Sequence, residues 1–164
     1  MPSRISSKLS LFELLLMFEN VLFVCIGNVC RSPYAEAALR HHFEQKNLPF
    51  QTSSVGLGAL VGESADPFSI NLAKQKNYDL SQHIAQQIHQ EAVLNAKLII
   101  AMEQEHLKQI QKSYPFSIGK VHLLGKWQNN EEVMDPYKKP KNAFETMAIK
   151  IDSQLNDWII KFYS

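Results

Sequence analysis

Cysteine is scarce in this chain. There are two in 164 residues, at positions 25 and 30. Two thiols so close together do not make the disulfide framework of a small secreted domain, and the expected location is the cytoplasm. An excess of charge of one sign is also missing. Lys and Arg number 17 and Asp and Glu 16, a formal net charge of +1. No Lys/Arg-rich run occurs, which argues against a general nucleic-acid role. No internal repeat or low-complexity tract is visible. No apolar run approaches the ~20 residues needed to span a bilayer, so stable membrane insertion is not expected. The six histidines are scattered. His41 and His42 are adjacent on a helical pattern, point different ways and read as surface residues. No metal site and no cofactor is expected.

What the chain does have is 45% hydrophobic residues, enough for one domain with a full core. Its most informative stretch is VLFVCIGNVCRSPYAE, residues 21–36. Val21 to Val24 read as a buried parallel strand. Cys25 stands at its end, a short loop follows, and Pro33 opens a helical run near its N1 position. A helix N-terminus offers free N–H groups and a positive dipole end, which together bind anions. Arg31 adds a planar fork able to hold two phosphate oxygens. The same field favours negative charge on the Cys25 sulfur, and a thiolate is the nucleophilic form of cysteine. Gly27 permits close backbone approach and positive φ. Ser32 can hydrogen-bond the sulfur. A nucleophile inside a phosphate cradle points to phosphoryl transfer through sulfur.

CIGNVCRSP closely resembles the signature loop of the low-molecular-weight protein tyrosine phosphatases. The resemblance extends from Met17 onward through SSVGLGALVGESADP (53–67), LIIAMEQEHLKQI (98–110), HLLGKW (122–127) and VMDPYKKPKNAF (133–144). It is nearest the bacterial branch that acts on the autophosphorylating tyrosine kinases of capsule or exopolysaccharide export. The resemblance implies a phosphotyrosine protein as partner, Cys25 as nucleophile and Arg31 as the phosphate and transition-state ligand. Ile26, Gly27, Asn28, Val29, Cys30 and Ser32 would complete the phosphate-binding loop.

Expelling a phenolate from phosphotyrosine needs a proton donor. Asp135, in the motif that matches the family's Asp-Pro-Tyr, is the expected general acid, and Tyr137 is expected to line the cleft. On the residues alone, Asp135-Pro136 also reads as a simple turn. The family's network around the loop Asn would here join Asn28 to Ser53 and His83. Leu57 or Leu60 should form an aliphatic wall of the substrate cleft. Cys30 is either packing or a redox partner of Cys25. The chain departs from the family in HIAQQI (83–88), which lacks the family's Arg residues, and in the Gly-rich loop, which lacks an aromatic. These departures bear on substrate preference.

Strand candidates at Val21–Val24, Phe50–Ser54, Leu98–Ala101 and Lys120–Leu123 alternate with helical patterns. The helices are expected at Pro33–Gln45, Pro67–Lys76, near Glu91, at Glu103–Gln111 and at Asn142–Phe162. This predicts a single α/β three-layer sandwich, with a four-stranded parallel sheet in the order 2-1-3-4 and helices on both faces. The central first strand then delivers Cys25 to the topological switch point. Asp66-Pro67 reads as N-cap and N1. Phe144, Met147, Ile151, Leu155, Trp158 and Ile159 follow helical spacing and read as a core face. Residues 1–16 are expected to be an extension, non-native or disordered, ahead of a domain at 17–164. Their short apolar run resembles a signal peptide only faintly, since Glu13 interrupts it.

Two other functions compete. An arsenate reductase on the same fold would pass a disulfide to further cysteines, and this chain has only Cys25 and Cys30. A non-catalytic phosphotyrosine-binding module would not need the intact set of Cys25, Arg31 and Asp135.

Overall fold

The computed structural model describes residues 10, 12, 13 and 19–163, for Tyr163 the backbone alone. Most of the expected extension at 1–16, and the start at Met17, lie outside the described residues. The apolar run ahead of Cys25 forms β1 (Asn20–Cys25), buried throughout except at its first residue. It pairs in parallel with β2 (Gln51–Gly56) on one side and β3 (Leu98–Ala101) on the other, and β4 (Val121–Leu123) extends the sheet from β3. The order is β2-β1-β3-β4, as expected. Between and after the strands run α1 (Arg31–Gln45), α2 (Pro67–Gln75), α3 (Gln90–Asn95), α4 (Gln104–Ser113) and α5 (Lys141–Tyr163). No described helix is long and apolar enough to cross a membrane.

The two-residue period of a strand sorts β1 onto two cores. Val21, Phe23 and Cys25 pack with Leu39 of α1, Ala73 of α2 and Ile151 of α5. Leu22 and Val24 pack with Val93 of α3 and Ile110 of α4. Helices therefore cover both faces, which is why β1 is apolar at successive positions and does not alternate. Each fully buried aliphatic or Phe side chain stabilises by roughly 1.5–3 kcal/mol. On α5, Phe144, Met147, Ile151, Leu155 and Trp158 are buried as expected. The Trp158 indole N–H donates to the Leu124 carbonyl at 2.8 Å.

Several local expectations are corrected. Helix α1 begins at Arg31, so Pro33 is its third residue and not its first. The first-turn N–H groups have no intrahelical acceptor, so proline costs nothing there. Helix α4 begins at Gln104, with Glu103 as an extended N-cap. His41 and His42 are half-buried, and the His41 ring lies 5.4 Å from that of Tyr78. Asp66 does cap α2, accepting from the Phe68 N–H at 2.9 Å, with Pro67 at N1.

Positive φ is needed one residue after Gly27. Asn28 has φ 58°, whereas Gly27 is not among the residues with positive φ. The glycine demanded by close approach is Gly56, paired with Cys25 across the sheet. A Cβ there would sit 2.2 Å from the Ile26 carbonyl oxygen. Gly56→Ala is therefore expected to displace the loop after β1, costing on the order of 1–3 kcal/mol by overpacking and most of whatever activity depends on Cys25. Urea unfolding and p-nitrophenyl phosphate hydrolysis on the same preparation measure both.

Candidate active site

The loop from Cys25 to Arg31 hangs between the end of β1 and the start of α1. Its carbonyls point outward, and each has a protein donor. Cys25, Ile26 and Gly27 accept from the N–H groups of Leu57, Gly58 and Leu60 at 2.9, 3.0 and 3.0 Å. Asn28 accepts from His83 Nε2 at 2.7 Å and Val29 from the Asp66 N–H at 2.8 Å. The Ser69 hydroxyl reaches the Cys30 carbonyl at 3.4 Å. The N–H groups of Ile26 to Cys30 donate to no protein acceptor among the described residues. Carbonyls held outward leave successive N–H dipoles converging inward, an anion-binding nest at a helix N-terminus.

Asn28 ties the nest together. Its amide donates to the Ser32 and Ser54 hydroxyls, each at 2.9 Å, and its Oδ1 accepts from the Gln86 N–H at 2.9 Å. Ser32 Oγ, already accepting from Asn28, lies 2.9 Å from Cys25 Sγ. Its own proton is thereby free to donate to the sulfur. His83 is in the network as expected, and its Nε2 carries the proton because a carbonyl can only accept.

Ser53 is not in the network. It is exposed, and Ser54 takes the place expected for it. A shift of one residue along β2 turns the side chain to the other face of the sheet. Leu57 is likewise absent from the cleft and packs on the core beneath α3 and α4. The cleft, about 110 Å³, is lined by residues 25–31, by Gly58 and Leu60, and by Asp135 and Tyr137.

Arg31 is 1% exposed. Its Nη1 donates to Glu103 Oε2 at 2.5 Å and to the Val133 carbonyl at 2.8 Å. Its Nε has no partner among the described residues, and Nη2 lies 3.6 Å from Asp135 Oδ2. Nε and Nη2 form one edge of the guanidinium, spaced for two oxygens of a tetrahedral anion. A buried N–H without an acceptor is costly in a native fold, and here it belongs to a nest built for anions. Asp135 is both turn and site: its Oδ1 accepts from the Tyr137 N–H at 3.1 Å, which leaves Oδ2 on the side of Arg31.

Burial pushes the Cys30 thiol far up from its ordinary pKa, and Asp66, Asp135 and Cys25 add to the effect. Cys30 is therefore held protonated beside the nucleophile. Sequence reasoning also missed Glu103, Gln86 and Gln87. The Gln87 side chain bridges Ala59 N–H and Leu57 carbonyl at 2.9 and 2.8 Å and braces the Gly-rich segment. The one local signal for Glu103 is a charged residue two positions after the fully buried strand β3.

A four-stranded doubly wound sheet that carries a Cys-x5-Arg nest and a facing Asp defines a class of phosphatase. The family described as low molecular weight phosphotyrosine protein phosphatase matches residues 20–162, and the chain belongs to it. The low molecular weight protein-tyrosine-phosphatase Wzb of Escherichia coli K12 is 41% identical over 143 residues, 87% of this chain and 94% of that protein. The crystal structure of the Erwinia amylovora tyrosine phosphatase AmsI superposes with a TM-score of 0.83 at 33% identity, covering 90% of this chain and 95% of that one. Vibrio vulnificus Wzb in complex with benzylphosphonate gives a TM-score of 0.82 at 32% identity, covering 88% and 99%.

Ser54→Ala should leave one Asn28 N–H buried without an acceptor, costing about 1–3 kcal/mol. Ser53→Ala should stay within about 0.5 kcal/mol of wild type, as exposed substitutions do. Urea denaturation of the two variants side by side distinguishes the positions.

Proposed function

We propose that the chain hydrolyses phosphotyrosine in proteins by two transfers through Cys25. The phosphate enters the nest with its oxygens on the inward N–H groups and on Nε and Nη2 of Arg31. Cys25 attacks phosphorus in line, and the tyrosine oxygen leaves with the proton of Asp135. The resulting Asp135 carboxylate then takes a proton from water as that water attacks the cysteinyl-phosphate. Phosphate departs and the thiolate returns. Tyr137 and Leu60 flank the aromatic ring. The observation that carries this reading is the outward fixing of all the loop carbonyls around the Cys25 sulfur. That a relative was crystallised with benzylphosphonate, a phenyl ring joined through one methylene to a phosphorus anion, supports the same use of the cleft.

The finer assignment is that the physiological substrate is an autophosphorylated tyrosine kinase of polysaccharide export. Similarity to Wzb and AmsI proteins supports it. We place the enzyme in the cytoplasm, where kinases find ATP and a thiolate nucleophile stays reduced.

Cys25→Ser is expected to abolish turnover, and EDTA to leave the wild type unaffected. Asp135→Asn should slow hydrolysis of a phosphotyrosine peptide by about 10²-fold or more. Its effect on p-nitrophenyl phosphate, whose leaving group is a weaker base, should be smaller, and the alkaline limb of the pH profile should disappear. Equal slowing of both esters with the limb intact would assign the acid elsewhere.

Cys30 we assign as a resolving thiol. Peroxide oxidises the Cys25 thiolate to a sulfenic acid, releasing hydroxide. The Cys30 thiol then displaces the sulfenic oxygen as water, and the disulfide is reduced by an external dithiol. Wild type inactivated by peroxide should recover in dithiothreitol and Cys30→Ser should not. Equal recovery would leave Cys30 a packing residue.

A further inference from the structure

Arg31 faces two carboxylates that call for opposite arrangements. Paired with Glu103, its Nε–Nη2 edge is free for phosphate. Paired fully with Asp135, it would hold that carboxylate ionised, and an ionised acid donates no proton. In the structure Glu103 is the near partner at 2.5 Å and Asp135 the far one at 3.6 Å. Glu103 is 29% exposed. Nothing in its own backbone prevents its carboxylate from turning outward to water. What restrains it is His106, one turn along α4, whose Nε2 lies 3.2 Å from the same Oε2.

We propose that His106 is a positioning residue for the phosphoryl transfer: its Nε2–H holds Glu103 on Arg31 and thereby keeps Arg31 off Asp135. The inference rests on the roles given above to Arg31 and Asp135. His106 is 3% exposed, and its Nδ1 has no partner among the described residues. That pattern selects a tautomer. With the proton on Nε2, the ring turns an N–H toward the carboxylate 3.2 Å away and buries only a free lone pair. With the proton on Nδ1, it would bury an unpaired N–H and set a lone pair against a carboxylate. The charged groups facing the ring are Arg31, Glu103, Asp135 and Glu132. Burial, and next the Arg31 charge, hold the imidazole below its ordinary pKa, so the ring stays a neutral donor and does not compete with Arg31 as a second cation. Glu103 then has one strong partner, and the guanidinium has one fixed edge.

The test uses the whole protein as wild type, His106→Leu and His106→Gln, the last because its Nε2 can occupy the position of the ring Nε2. Hydrolysis of a phosphotyrosine peptide is followed against pH, with thermal unfolding as a check on folding. His106→Leu is expected to lower kcat about ten-fold with little change in KM. It should also move the alkaline limb to lower pH, because Arg31 then settles nearer Asp135. His106→Gln should restore both. A folded His106→Leu with the kcat and limb of the wild type overturns the proposal, and so does a His106→Gln no better than Leu. Nitrogen-15 NMR of the wild-type ring decides the matter even where the variants do not fold. An Nε2–H tautomer, neutral at pH 7, is required, and an Nδ1–H tautomer or an imidazolium refutes it. A wild type that hydrolyses nothing removes the phosphatase reading itself, whereas a wild type silenced by Cys25→Ser beside an unaltered His106→Leu removes this inference alone.

Discussion

Holding the carbonyls of residues 25–30 outward is the constraint on which the rest of the molecule depends. Backbone dipoles converging on one point repel one another, and a free loop would relax by letting some of them rotate. Here the six carbonyls are occupied by donors from several segments: three from the Gly-rich stretch after β2, one from the α2 cap, and one each from Ser69 and His83. The loop cannot rotate without breaking several of these bonds together. Preorganised dipoles of this kind stabilise developing charge without reorganising during the reaction. The sheet order supplies the setting, since β1 lies between β2 and β3 and leaves its end open at the switch point.

Around the nest the charged groups are graded by exposure. Arg31 is almost fully buried, Glu103 is partly exposed, and the Asp135 side chain is 45% exposed. The fixed charge is thus dry and rigid, and the group that must exchange protons with water has water beside it. Cys30 stays neutral in the same small space, which limits the number of negative charges the nest must hold before phosphate arrives.

Much of this was legible in the sequence because the key groups are local. Strand, Cys25, loop, Arg31 and helix are contiguous, and Asp-Pro-Tyr is a short motif. The misses have physical reasons. Ser53 and Ser54 are neighbours of the same type, and only strand parity decides which side chain turns toward Asn28. Leu57 and Leu60 are alike in chemistry, but Leu57 comes directly after β2 and is drawn onto the core, whereas Leu60, three residues on, lines the cleft. Positive φ on Asn28 was within reach of sequence reasoning, since Asn tolerates it and can stitch a loop through its amide, and the bonds to Ser32, Ser54 and Gln86 hold it there. The charge of Glu103 behind a buried strand was visible but its role was not, because that role depends on a long-range contact with Arg31, and such a contact has no local periodicity.

The donors that hold the nest have an order of synthesis. Cys25 leaves the ribosome early, but the groups that lock its loop follow in turn from Leu57 through His83, and Asp135 comes later still. Domains fold largely as units, from the N-terminus as synthesis proceeds. A nascent chain therefore carries its nucleophile long before it carries a cradle, and its acid last. An unfinished polypeptide has a cysteine but no site. The activity can arise only after residues well downstream of Cys25 have been made, with no separate device needed to keep a partial enzyme silent.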